Sequence, residues 1–153
     1  MYNDIIEQQK VLYKPTGGKM RMLDNETVQY ISSEGKIYSI FGTPFCKIFG
    51  NWAYMLESST LEVLYSQMPE NCDIVISHDA PKLCDLGQIE YRENVGNPWL
   101  ADEILRKHPK YVFCGHIHSG NHSLSTINGI SLANVSLLDE SYEFNYKPFY
   151  LEV

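Results

Sequence analysis

Two short apolar runs, Asp73-Ile74-Val75-Ile76-Ser77 and Tyr111-Val112-Phe113-Cys114, each lead into histidine, and a helix-like stretch separates them. The runs show almost no alternation of apolar and polar residues, the pattern of strands covered on both faces. Between them Asn97 reads as an N-cap with Pro98 at the first helical position, Leu100, Ile104 and Leu105 form an apolar stripe, and Pro109 stops the helix. Strand, helix, strand in that order predicts an α/β unit. In open sheets of that kind, ligands sit beyond the carboxyl ends of the strands. His78 follows the first run, and Gly115-His116-Ile117-His118 follows the second. If the strands are neighbours, His78 and His116 reach one rim, and in extended backbone His118 points to the same side as His116.

The rest of the chain supplies shorter elements. Residues 2–12 read as a helix stopped by Pro15 and Gly17-Gly18, and Gly17-Gly18-Lys19 lacks the spacing of a phosphate-binding loop. Met20–Leu23, Thr27–Ile31 and Lys36–Phe41 read as strands broken at Asp24-Asn25 and at Ser32-Ser33-Glu34-Gly35. Residues 60–67 read as a helix with Leu61, Leu64 and Tyr65 on one face. Ser123–Thr126, Ile130–Val135 and Pro148–Val153 read as strands, with Asn128-Gly129 as a hairpin turn.

Composition narrows the function. The 153 residues, 44% hydrophobic and 20% charged, suit one domain spanning 1–153. A net charge of −7 opposes broad nucleic-acid binding, yet it allows an anionic substrate wherever divalent cations supply positive charge locally. No apolar stretch approaches the ~18 residues of a membrane span. Met1-Tyr2-Asn3-Asp4 is no signal-peptide start, so a soluble cytoplasmic protein is expected. Cys46, Cys72, Cys84 and Cys114 form no C-x-x-C pair, which argues against a zinc knuckle and for a reducing compartment. Cys114, inside its apolar run, reads as a buried thiol.

Three neutral imidazoles can anchor one Mn, Fe, Zn, Ni or Co ion and leave positions open for water. The candidate metal ligands are therefore His78, His116 and His118. Taken alone, His78 reads first as a loop histidine capping a strand; taken together with His116 and His118, it reads as part of a metal site. Asp79 and Asp85 read first as solvated loop carboxylates and second as metal ligands or as acceptors for an imidazole N–H. His108 reads as a dipole partner at a helix end.

At this point the residues resemble a family. Ile76-Ser77-His78-Asp79-Ala80-Pro81 resembles the T-H-x-P-P segment of calcineurin-like metallophosphoesterases, and Gly115-His116-Ile117-His118 resembles their closing G-H-x-H motif. Gly42-Thr43-Pro44-Phe45-Cys46, Asn51-Trp52-Ala53 and the stretch Asn134-Val135-Ser136-Leu137-Leu138-Asp139-Glu140 are similar to the small branch with phosphodiesterase activity on cyclic-nucleotide-like substrates. The resemblance implies an α/β (α+β) fold, part of a β-sandwich flanked by helices. It implies a dinuclear metal site hydrolysing phosphoesters, with His78 and His116 on one metal and His118 on the other.

The family's D-x-H, G-D-x-x-D and G-N-H-[DE] motifs do not occur upstream of His78. Gly120-Asn121-His122-Ser123 mimics the last of these, but it lacks the acidic residue, follows G-H-x-H, and reads as a turn leading into a strand. The chain therefore resembles the carboxyl-terminal half of the family, with one ion at most, no catalytic residue of its own, and a partner in an amino-terminal half or a second copy. The alternative is a truncated, non-catalytic binding or oligomerisation module.

Overall fold

Residues two apart on a strand share a face, and this parity organises the whole protein. The computed structural model describes residues 21–90 and 93–150. Its elements are β1 (Glu26–Ile31), β2 (Ile37–Thr43), β3 (Cys46–Lys47), β4 (Met55–Leu56), α1 (Ser58–Ser66), β5 (Ile74–Ser77), α2 (Pro98–Lys107), β6 (Tyr111–Cys114), β7 (Ser125–Ile127) and β8 (Ile130–Asn134). A six-stranded sheet runs β1-β2-β5-β6-β8-β7, and β3 and β4 form a small parallel pair. Strands β2, β5, β6 and β8 are mutually parallel, whereas β1 and β7 join the edges as antiparallel hairpins. This is a mixed α+β architecture, one sheet flanked by two helices, as expected from the sequence.

The core lies on one face of the sheet. Phe41, Val75, Val112 and Leu132 stand in one row across the four parallel strands. They pack with Leu61 and Tyr65 of α1 and Leu100 and Ile104 of α2, all buried. The next row points the other way, and there Ile76 is 47% exposed. The expectation of strands covered on both faces is thereby corrected for β5. A run of four apolar residues is too short for its period to separate a one-sided from a two-sided strand.

Local chemistry explains most of the element ends. Asn97 caps α2 by accepting from the Leu100 N–H at 3.2 Å, and Pro98 opens the helix. His108 closes it in the left-handed region at φ 55°, after Arg106 and Lys107 in the last turn. The β7–β8 hairpin turns on Asn128 and Gly129, at φ 50° and 82°, the signature of a type I′ turn.

Two strand expectations fail. Arg21–Leu23 is irregular: Leu23 packs onto Gly42, whose missing side chain makes the room, and Arg21 pairs with Glu26 at 2.6 Å. Residues 148–150 form no strand, although the Phe149 ring lies 6.0 Å from that of Phe113. Pro148 has no N–H with which to join a ladder. The helix expected over residues 2–12, Gly17-Gly18-Lys19, Met20 and residues 151–153 lie outside the described residues. Among the described residues no helix is long and apolar enough to cross a membrane.

Candidate metal centre

The carboxyl ends of β2, β5, β6 and β8 meet at one rim, and each delivers part of the site. His78 continues the β2–β5 ladder, its N–H donating to Thr43 O at 2.9 Å, and Gly115 N–H donates in turn to His78 O at 3.3 Å. Past β6 the chain does not stay extended. His116 sits at φ 68°, and Ile117 N–H donates to Gly115 O at 2.8 Å, a three-residue γ-turn centred on the histidine. This corrects the extended reading of G-H-x-H. The turn is stapled from β8: buried Asn134 donates from Nδ2 to Ile117 O at 2.7 Å and to Leu86 O at 3.0 Å. Gly120 admits this close approach, because a side chain there would strike Leu86 O.

Within the rim, the His78 and His116 rings lie 4.5 Å apart, centroid to centroid. A third donor joins them. Cys46 Sγ and one nitrogen of each histidine all fall within 4.8 Å of one another, a cluster that could hold a metal ion. Donors on a tetrahedral ion at ~2.0–2.3 Å stand about 3.5 Å apart, so small rotations would close this set around one. Cys46 enters because β2 ends at Thr43, before Pro44, and the chain turns into β3. That turn is held by the Tyr65 hydroxyl, which donates to Phe45 O at 2.9 Å, and by Cys46 N–H, which donates to Tyr54 O at 3.0 Å. A search for cysteines paired in sequence passes over Cys46. The usable signal is that it lies just past a strand parallel to β5, which only strand order reveals.

His118 lines the same pocket as His78 and His116, although its nitrogens lie outside the cluster. Its Nδ1 sits 2.8 Å from Asp139 O. A carbonyl only accepts, so Nδ1 carries the proton and Nε2 keeps its lone pair, the tautomer a ligand needs.

Asp79 departs most from its expectation. It is 2% exposed, not solvated, and it accepts from Asn97 Nδ2 at 2.8 Å. Its backbone O accepts from Ser77 Oγ at 2.7 Å. Asp79 thereby ties the His78 loop to the capping residue of α2. Asp85 is exposed, as expected of a loop carboxylate. Asn121 and His122, in the false G-N-H motif, are structural. Asn121 donates to Cys84 O at 3.1 Å, and His122, stacked on Tyr146, donates from Nε2 to His118 O at 2.8 Å. The segment is a loop, with β7 beginning only at Ser125.

The electrostatics suit a cation. Desolvation first, then the neighbouring imidazoles, hold His78 and His116 below the ordinary histidine value and so favour their neutral forms. Burial and then the Asp79 charge push the Cys46 thiol up to about 11. Burial likewise raises the Asp79 carboxyl, an effect that Asn97 and Lys47 oppose. A bound cation would reverse this cost for both acids by stabilising their charged forms.

No known protein family and no curated protein matches the sequence. A solved structure does. The fold is similar to that of TT1561 of Thermus thermophilus, with a TM-score of 0.50 and 12% identity over 85% of this chain. The chain spans 55% of that structure's length. At this identity the likeness shows the fold alone.

Proposed function

We propose that this chain supplies the histidine ligands of a metal-dependent phosphoester hydrolase, with His78 and His116 holding a divalent ion beside Cys46, and with His118 at the edge of the same pocket. The observation that carries this reading is the meeting of two motif-bearing loops, Ser77-His78-Asp79-Ala80-Pro81 and Gly115-His116-Ile117-His118, with ring centroids 4.5 Å apart at the carboxyl rim of the sheet. When bound, a divalent ion supplies Lewis acidity toward a phosphoryl oxygen. The thiol in the donor set favours zinc over manganese. The chain's own residues present neutral imidazoles, orient them through Asp139 O and Asn134, and provide a pocket of about 690 Å³ for the ester. The ligands that this chain lacks come from an amino-terminal half or from a second copy. Four unpaired thiols fit a cytoplasmic setting.

The test is metal analysis of the chain and of its His78→Asn and His116→Asn variants. Hydrolysis of bis-p-nitrophenyl phosphate is then followed for the chain alone and mixed with a fragment bearing D-x-H, G-D-x-x-D and G-N-H-[DE]. Expected is metal uptake that both variants lose, and hydrolysis by the mixture that tracks metal content. A metal-loaded mixture without hydrolysis overturns the reading. The exposure of Ile76 on the sheet face away from the core favours a second reading, a non-catalytic oligomerisation module. Under it, gel filtration gives a defined oligomer that substitution of His116 and His118 leaves intact.

A further inference from the structure

The pocket walls carry information about the ester that the histidines do not. Two aromatic side chains stand at its mouth, and both are exposed: Phe49 at 62% and Tyr142 at 75%. Phe49 is braced by Trp52, with ring centroids 5.1 Å apart, and its ring lies 5.0 Å from that of His116. Tyr142 sits edge-on to His118, with centroids 5.3 Å apart. Its backbone is held at φ 61° by a turn in which its N–H donates to Asp139 O at 3.0 Å. That conformation is uncommon for a bulky side chain, and it aims the ring at the site. Large apolar rings left in water at a pocket mouth are unspent binding surface. Each borders one of the histidines assigned to the reacting end of the ester.

Charge selects further. Among the described residues that line this pocket, Lys47 is the sole lysine or arginine, its Nζ held by Val95 O and Gly96 O at 2.5 and 3.2 Å. The carboxyl groups of Asp79 and Glu140, in the same lining, oppose its single positive charge. Little positive charge is left to balance a phosphate monoester, which carries about −1.5 to −2 at neutral pH. A diester carries only one negative charge, which a single divalent ion more than balances.

We propose that the site takes phosphodiesters bearing a flat aromatic substituent, with Phe49 and Tyr142 holding that ring. The inference rests on the hydrolase reading for the position of the phosphorus. In the hydrolysis, the water oxygen bonds to phosphorus while the P–O bond to the aryl group breaks. The bonding pair stays on the aryl oxygen, one water proton goes to that oxygen, and the other stays on the monoester product.

Calorimetric titration of the zinc-loaded chain with diphenyl, diethyl and phenyl phosphate tests this without requiring turnover. Expected is the tightest binding for diphenyl phosphate. Phe49→Ala and Tyr142→Ala should each weaken it about 3- to 10-fold, with zinc uptake and diethyl phosphate affinity unmoved. Equal affinity for diphenyl and diethyl phosphate, tighter binding of phenyl phosphate, or variants that weaken both diesters alike would overturn the proposal. Selective diphenyl phosphate binding with no ester hydrolysed keeps the aromatic clamp and removes the hydrolase reading. Hydrolysis of esters without aromatic preference removes the clamp alone.

Discussion

His116 does two jobs that one substitution can separate. Its backbone closes a left-handed γ-turn, and its ring meets His78. Asparagine tolerates left-handed backbone but offers no imidazole. His116→Asn should therefore keep the melting temperature of the metal-free protein. It should abolish the rise of about 5–10 °C expected of the wild type with zinc at a hundredfold its dissociation constant; thermal melts with and without zinc measure both. The titratable groups set a pH signature. His78 and His116 have folded-state values below the ~6.5 of an unfolded chain. Between those limits the unfolded chain binds more protons than the folded one. Stability therefore rises with pH through that window and is lost as pH falls below about 6.5, and zinc affinity falls with it as the imidazoles protonate. Cys46, pushed up to about 11, must shed its proton on binding. Zinc titrations at pH 7 in buffers of different ionisation enthalpy should show about one proton released, and none in Cys46→Ser.

Among the elements, α2 is the most tightly coupled to the site. Its cap, Asn97, is wholly buried. It accepts from Leu100 N–H and donates to Asp79, so one side chain starts the helix and fixes the loop after β5. Asn97→Ala removes the cap and takes from the buried Asp79 carboxyl its side-chain donor. The expected loss is about 2–4 kcal/mol in urea unfolding, with a weaker zinc affinity than the cap alone would explain. The cap, the proline after it and the apolar stripe of α2 were all legible in the sequence, because helix starts are written in neighbouring residues. The partner of Asn97 was not legible. Asp79 lies eighteen positions away, and nothing local separates a buried carboxylate from a solvated one. The γ-turn at His116 was equally hidden, since it depends on the grip of Asn134 from β8.

At the scale of the whole molecule, β5 buries one face in the core and leaves Ile76, on the other face, half-exposed. Val75 and Ile76 are neighbours in sequence, yet they face a packed core and an open surface respectively. Val75→Ala should cost about 2 kcal/mol by urea unfolding, whereas Ile76→Thr should stay within about 0.5 kcal/mol. Equal costs would mean that β5 is covered on both faces. The sequence by itself determined the strand–helix–strand unit, the Asn97 cap of α2, the Asn-Gly hairpin and the placing of His78 and His116 at strand ends, because each depends on side chains within a few residues of one another. Only the tertiary structure decided that the strands order as β2-β5-β6-β8. That order brings Cys46 to the two histidines, buries Asp79 and leaves Ile76 outside. Those outcomes turn on which distant segments lie side by side, and on which face of the sheet two amphipathic helices find apolar surface to cover.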